Sequence, residues 1–144
     1  MPDPVVPALT LIPPIAAGII IGVYEWGVMM RDVTIGSGKM WHGIQAIFFG
    51  IAGCVLSFNV PLVYILIPQL KGVVILGSEV GIRVLLGVIM AAKIHGVSSA
   101  MRGSSIGIPG TQETWFHSLI VGSLVAASPY LFPFIKPILP AWVK

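Results

Sequence analysis

Long apolar segments alternate with short polar stretches along the whole chain, and the polar stretches are rich in glycine, serine and charged residues. A membrane-spanning helix needs about 20 consecutive apolar residues. The pattern therefore predicts an all-α integral membrane protein with four transmembrane helices in an up-down bundle with short loops. We expect a single membrane domain over 1–144, with spans at about 13–30, 41–67, 73–101 and 111–128 and a proline-rich tail at 129–144.

Prolines mark where these helices begin, bend or stop. Proline is tolerated in the first helical turn, so the first helix is expected to start near Pro13, and it disrupts a helix interior. The second segment contains Asn59 and Pro61, which predict a bend or an early end. We expect the prolines of the tail to break it into a kinked apolar segment at the membrane interface.

Small residues recur at four-residue spacing on several predicted helices, an arrangement that lets two helix backbones approach closely. The alternative is that glycine, with 17 residues, is common enough to produce such spacings by chance. The candidate faces are Gly18–Gly22, Ala46–Gly50, Gly77–Gly81, Ala92–Gly96–Ala100 and Ser118–Gly122–Ala126.

Composition supports the membrane prediction. Of 144 residues, 56% are hydrophobic and 9% are charged, whereas a soluble domain has about 25% charged residues. The 8 basic residues form no run, so we expect contact with a lipid bilayer and not with nucleic acid. Cys54 is the sole cysteine, which excludes an internal disulfide bond. The predicted location is the cell membrane, with several passes and with bound lipids.

An up-down bundle of four spans brings the first and third loops to one side of the membrane. Most ionisable residues then gather at that interface, and we expect them to form a closed polar cap, partly by pairing. Glu79 and Arg83 lie nearer the opposite side and are spaced i, i+4, which predicts an ion pair on one helix face; an intersubunit pair and an ion path are the alternatives. The predicted polar cluster consists of Glu25, Asp32, His42, Lys93, His95, Arg102, Glu113 and His117.

Three members of this cluster are candidate metal ligands, because imidazole with carboxylate suits zinc, iron or copper. Glu113 and His117 lie at i, i+4, and His95 could meet them across the helical hairpin. The interpretation we favour is that interfacial histidines cap helices and bond loop carbonyls, since nearby Lys93 would repel a cation. The sequence contains no nucleotide-binding, hydrolase or zinc-protease motif. We therefore predict no catalytic residue and no cofactor bound by this chain.

The segment from Lys93 to His117 carries a resemblance to a known family. The blocks K-I-H-G, A-M-R-G and G-I-P-G-T-Q-E-T-W-F-H-S-L-I, followed by S-P-Y-L-F-P, resemble accessory membrane subunits of archaeal ammonia monooxygenase. The likeness covers about the C-terminal third and includes no diagnostic motif. It implies partnership in a copper-dependent membrane complex, usually a trimer of protomers. In that family the copper ligands belong to other subunits, so no catalytic residue is transferred here.

Two functions remain open at this point. The first is a non-catalytic structural or assembly subunit of a larger membrane enzyme complex, joined to other integral membrane subunits as a hetero-oligomer. The second is a small homo-oligomeric channel or transporter. A transporter is expected to place polar residues near the middle of several spans. The gathering of polar residues at one predicted interface favours the first function.

Overall fold

The computed structural model describes residues 8–32, 39–103 and 115–143, and within these ranges the chain is helical, with no β-strand. The all-α prediction is therefore confirmed for the described residues. Five α-helices are present, followed or joined by short 3-10 turns at Pro68–Gly72, Lys136–Ile138 and Ala141–Val143. The helices are α1 (Ile12–Asp32), α2 (Lys39–Phe58), α3 (Val60–Leu66), α4 (Glu79–Gly103) and α5 (Trp115–Ile135).

The four long helices form two antiparallel hairpins that pack on one another. Helix α1 pairs with α2, and α4 pairs with α5; the hairpins meet mainly through α5, which contacts both α1 and α2. This arrangement gives the bundle two ends. The loop end of the bundle is the end at which α1 and α4 finish. The bend end is the opposite end, at which α2 finishes and α4 begins. The up-down order predicted from the sequence is thus present.

Helices α1 and α2 pack backbone against backbone through two of the predicted small-residue faces. A Cβ atom added to Gly50 would lie 2.6 Å from Gly18 O, and one added to Gly22 would meet the backbone of Ile47. Separations this short leave no room for any side chain. The Gly18–Gly22 face of α1 and the Ala46–Gly50 face of α2 therefore form one contact.

Helices α4 and α5 make a second close contact, for which α4 uses a different glycine from those the sequence suggested. A Cβ atom on Gly87 would lie 2.7 Å from Gly122 O, and Ala91 packs against the same glycine. By contrast, a Cβ atom on Gly96 would meet nothing within 4 Å. The Ser118–Gly122–Ala126 face of α5 is used, but Gly96 of the Ala92–Gly96–Ala100 face lies open.

The second apolar segment does not form one helix over 41–67. Helix α2 ends at Phe58, and α3 leaves it at an angle of 83° after Asn59. Pro61 lies in the first turn of α3, where α3 itself needs no N–H donor from this residue. The predicted bend at this proline is confirmed, and the segment 41–67 contains two helices in place of one.

The other helix limits also differ from prediction. Helix α4 starts at Glu79 instead of residue 73, because residues 73–78 form turns and Ser78 Oγ accepts the Gly81 N–H at 3.0 Å as a capping bond. The predicted start of the fourth helix at Thr111 lies outside the described residues. At its other end α5 continues past residue 128 to Ile135, through Pro129 and Pro133.

A hydroxyl group explains how α5 tolerates Pro129. A proline leaves the carbonyl four residues earlier without its helical donor. That carbonyl belongs to Val125, and Ser128 Oγ donates to it at 2.8 Å. The Val125 carbonyl thereby has a hydrogen-bond donor, and the helix continues into the segment that the sequence predicted to be a kinked or broken tail.

By length and composition, fewer helices qualify as membrane spans than the four predicted. Among the described residues, Trp115–Ile138 qualifies, and the bent pair of α2 and α3 adds a second if both parts belong to one span. The apolar part of α1, Ile12–Val28, is shorter. Helix α4 carries Glu79 and Arg83 in its first two turns and Lys93 beyond its middle, and these charges lower its apolar character.

Candidate functional site: a buried carboxylate and imidazole beside a cavity

A glutamate and a histidine meet inside the bundle, toward its loop end. Glu25 of α1 is 2% exposed and contacts His117 of α5, joining Glu25 Oε2 to His117 Nε2. With Glu25 ionised, His117 Nε2–H is the donor to the carboxylate. The sequence predicted that both residues lie near one interface, and the structure brings them into direct contact.

Aromatic rings surround this pair. The Tyr24 ring lies 5.9 Å from the His117 ring, and His95 stacks on Trp115 with ring centroids 3.8 Å apart. Trp115 precedes His117 by two residues on α5, so the stacked pair lies just beyond the carboxylate–imidazole contact, at the loop end. The Glu25 side chain is 2% exposed and the His117 side chain 11%, so little water reaches their contact and the electrostatic interaction between them is strengthened.

A cavity of about 30 Å³ lies next to Glu25. Its inner wall is formed by buried residues of α1, α4 and α5, and its outer wall by Gln45 and Phe49 of α2 and Lys93 of α4. Lys93 is exposed and holds its ammonium 4.6 Å from the centre of the Phe49 ring, a cation–π contact. The cavity therefore opens between α2 and α4, with Lys93 at the opening and Glu25 at its base.

One oxygen of Glu25 has no protein partner in the described part of the chain. His117 occupies Oε2, whereas Oε1 is buried without a hydrogen bond from any described residue. A buried acceptor without a donor costs about 1–3 kcal/mol, and more if it is charged. This spare acceptor, the adjoining cavity and the neighbouring imidazole are the chemical features of the site.

The predicted polar cluster can be followed only in part. Glu25, Lys93, His95 and His117 lie in the loop-end half of the bundle, as described above. Glu113 and the side chains of Asp32, His42 and Arg102 lie outside the described residues. The predicted metal set of His95, Glu113 and His117 falls partly outside as well. Where the structure describes the chain, no group of three His, Cys, Asp or Glu side chains could hold a metal ion.

A second polar group lies at the bend end, centred on buried Arg83. Its Nη2 donates to Glu79 Oε2 at 2.8 Å, in the i, i+4 arrangement that the sequence predicts. Its Nε donates to Ser57 O at 3.0 Å, and its Nη1 donates to Tyr130 OH at 2.7 Å. Arg83 thus links α2, α4 and α5. Sequence reasoning missed Ser57 and Tyr130 as partners.

Asn59, at the break between α2 and α3, binds the segment that precedes α1. Its Oδ1 accepts the Thr10 N–H at 2.8 Å, and its Nδ2 donates to Thr10 O at 2.8 Å and to Val55 O at 2.7 Å. The side-chain amide thereby replaces the backbone partners that a neighbouring strand or helix turn would supply. The sequence signal for this interaction was an asparagine within an apolar segment, but that signal does not identify Thr10 as the partner of Asn59.

Comparisons with known proteins add no relative to this description. No protein-family model matches the chain, and no match is found among curated proteins or solved structures. The molecule is therefore characterised by its own features: over the described residues these are an all-helical fold, buried polar groups around Glu25, Arg83 and Asn59, and many exposed apolar side chains.

Proposed function

We propose that this chain is an integral protein of the cell membrane that serves as a non-catalytic structural subunit of a larger membrane complex. The observation that carries the membrane assignment is the distribution of side chains. Several polar residues lie inside the bundle beside its apolar core, and many large apolar residues lie outside, which is not the distribution expected of a water-soluble protein. The buried polar residues are Glu25, Ser57, Asn59, Arg83, Ser118 and Ser128, while the exposed outer face of α4 presents Val80, Val84, Leu85, Val88 and Ile89.

Helix lengths support four spans. With a rise of 1.5 Å per residue, 20 residues cover about 30 Å, the thickness of the hydrocarbon core. Helices α1, α2, α4 and α5 contain 21, 20, 25 and 21 residues. The charges that weaken the apolar character of α1 and α4 include Glu25 and Arg83, which are buried and bonded within the bundle. Lipid would therefore meet mainly apolar side chains.

The subunit role is supported by the bonding of the buried polar side chains and by the family resemblance. The described residues form a compact helical bundle, and most of the buried polar side chains bond to backbone or side-chain groups within it. The resemblance around Lys93–His117 proposes archaeal ammonia monooxygenase as the complex, with copper held by its other subunits. In this role the chain contributes apolar surface to neighbouring integral membrane subunits.

Purification from the source membrane tests this function. Membranes are washed with alkaline carbonate, and the tagged chain is then isolated in mild detergent and analysed by native mass spectrometry. We expect the chain to resist the wash and to come with other integral membrane proteins at fixed stoichiometry. The same tagged chain produced in a foreign membrane is the control and should lack these partners. Release by carbonate, or isolation as a monomer from the source membrane, would contradict the proposal.

The cavity beside Glu25 favours the alternative of a small homo-oligomeric channel or transporter, because it places a spare acceptor within the bundle. That function predicts a complex of identical chains. It also predicts that liposomes containing the purified chain conduct ions or take up a small solute. Native mass spectrometry separates the two functions directly, since one requires foreign subunits and the other requires copies of this chain.

A further inference from the structure

We propose that residues 60–78, the segment between α2 and α4, form an interfacial anchor that binds anionic phospholipids. Exposed apolar side chains of the anchor enter the edge of the hydrocarbon layer, and the Lys71 ammonium contacts a lipid phosphate. The inference rests on the membrane assignment of the proposed function, and it adds a binding surface and a class of lipid to that assignment.

The bend after Asn59 directs this segment along the membrane surface. Helix α2 contains 20 residues, which cover about 30 Å, so it crosses the hydrocarbon core without help from α3. Helix α3 then departs at an angle of 83°, and a helix nearly perpendicular to a spanning helix runs parallel to the membrane plane. The chain rejoins the bundle at Glu79, where α4 begins. The anchor therefore lies at the membrane interface of the bend end.

The anchor has a small core of its own, packed on the start of α4. Val60 and Tyr64 of α3 are buried together with Ile82 of α4. Leu70 and Leu76 pack against this cluster. Tyr64 OH also donates a hydrogen bond to Leu76 O at 2.7 Å, which joins α3 to the turns that precede α4. These contacts determine which side chains of the anchor remain outside.

The side chains that remain outside are mostly apolar. Val74 is 98% exposed, and the helix Val60–Leu66 has no polar side-chain group other than the internally bonded Tyr64 hydroxyl. Contiguous exposed apolar residues mark a surface that meets a protein or a membrane. Here they continue the apolar outer face of α4 from Val80 onward, which the proposed function assigns to lipid, so lipid is the expected occupant. The exposed apolar residues are Ile65, Leu66, Ile67, Val73, Val74 and Ile75.

The backbone of the anchor also suits a position at the edge of the hydrocarbon. Peptide groups that meet lipid need hydrogen-bond partners within the protein, because no water is available there. Carbonyls along the turns accept hydrogen bonds from donors inside the anchor, namely the carbonyls of Ile67, Leu70, Val73, Ile75 and Leu76. A loop that faces water has no such requirement, so this bonding favours the lipid boundary.

Lys71 supplies the charge that selects the lipid. It is the only charged residue of the anchor, and the nearest acidic residue along the chain, Glu79, is paired with Arg83. The exposed Lys71 side chain holds its ammonium 5.6 Å from the centre of the Tyr64 ring, close to the apolar surface. A lysine at the surface of an anionic membrane strengthens binding about fivefold. Anionic headgroups are therefore expected beside Lys71.

Fluorescence quenching in lipid nanodiscs tests the position of the anchor. The dye NBD is attached to the full chain through Val74→Cys or, on the outer face of α4, through Val88→Cys. The wild-type chain is the labelling control, because its sole cysteine, Cys54, is fully buried. Nitroxide-bearing acyl chains quench a dye in lipid, whereas iodide quenches a dye in water. We expect lipid nitroxide to quench both labels several-fold more strongly than iodide does.

The Val88 label separates the anchor from the membrane assignment. A Val88 label quenched by iodide would contradict the proposed function itself. A Val88 label in lipid together with a Val74 label quenched by iodide would overturn the anchor alone. A Val74 label shielded from both quenchers would also overturn the anchor, because another protein chain would then cover this surface.

Lipid charge tests the role of Lys71. The Val74 label is quenched with nitroxide-bearing phosphatidylglycerol, which is anionic, or with phosphatidylcholine, which is zwitterionic, at equal mole fractions. We expect an about fivefold preference for phosphatidylglycerol that is lost in Lys71→Gln and kept in Lys71→Arg. Lys93→Gln, at the loop end, is the matched control and should keep the preference. Equal quenching by the two lipids in the chain with native Lys71, or an unchanged preference in Lys71→Gln, would overturn the proposed lipid contact.

Discussion

Arg83 Nε donates a hydrogen bond to Ser57 O, the carbonyl that Pro61 leaves without a helical donor. In an unbroken helix, the N–H of residue 61 would bond to the carbonyl of residue 57, but proline has no N–H. The guanidinium of α4 supplies the missing donor from another helix. Arg83 thereby replaces the hydrogen bond that is lost at the bend, donates to Tyr130 OH and forms an ion pair with Glu79.

Replacing Arg83 by methionine should destabilise the protein by about 3–5 kcal/mol, because it leaves several buried polar partners unbonded. Glu79→Gln should cost only about 0–1 kcal/mol, since the Glu79 side chain is 49% exposed. Unfolding in mixed micelles measures both. Equal losses in the two variants would show that Arg83 acts through the Glu79 ion pair alone.

The link between Arg83 and Pro61 is tested by a double-mutant cycle. In a Pro61→Ala background, residue 61 regains an N–H that can bond to Ser57 O. Arg83→Met should then cost about 1 kcal/mol less than in the wild-type background, the value of one hydrogen bond. Arg83→Met in a Tyr130→Phe background serves as the comparison for the other bond. Strictly additive effects of Pro61→Ala and Arg83→Met would show that Arg83 does not replace the hydrogen bond to Ser57 O that Pro61 lacks.

The contact between α1 and α2 predicts which glycine substitutions destabilise the protein. Gly50→Ala should destabilise the protein by about 1–3 kcal/mol, because its methyl group would meet Gly18 O and force the helices apart. Gly96→Ala is the matched control, since its methyl group meets nothing and alanine favours helix by about 1 kcal/mol. Thermal unfolding in detergent should lower the Tm of the first variant and leave unchanged or raise that of the second. A similar Tm in both variants would place the helix contact elsewhere.

Asn59 should control the segment that precedes α1. Asn59→Leu removes the bonds to both backbone groups of Thr10, so the amide of Thr10 should exchange its hydrogen faster and the chain should be cleaved more readily near Leu11. Hydrogen exchange and limited proteolysis measure these effects. Ser78→Ala, which removes the capping bond at the start of α4, is the control and should leave the exchange of Thr10 unchanged. Unchanged exchange in Asn59→Leu would mean that other contacts hold this segment.

The Glu25–His117 pair should behave as a unit. Glu25→Leu and His117→Leu each leave one polar partner buried, and truncating one member of a buried pair costs about 3–5 kcal/mol. The double variant replaces both by apolar groups, and it should be more stable than the sum of the single losses predicts. Unfolding of the three variants gives the coupling energy. A coupling near zero would show that the contact contributes nothing to stability.

Local spacing determined much of what the sequence predicted. The helical character, the bend at Pro61 and the Glu79–Arg83 arrangement depend on residues within one or two helical turns, and such neighbours follow from helix geometry alone. The continuation of α5 past Pro129 was missed, although its cause is also local. A serine hydroxyl donates the missing hydrogen bond there. A prediction from sequence pattern treats proline as a helix breaker and does not take such a hydroxyl into account.

The tertiary structure decided which polar groups meet. Glu25 and His117 are 92 residues apart, and Asn59 and Thr10 are 49 apart, so no periodicity connects them. The up-down order places such residues at the same end of the bundle, which the sequence does predict. Their pairing also requires the rotation of each helix about its axis. The close glycine contacts at Gly18–Gly50 and Gly87–Gly122 set that rotation, because backbones can approach so closely only where both helices lack side chains.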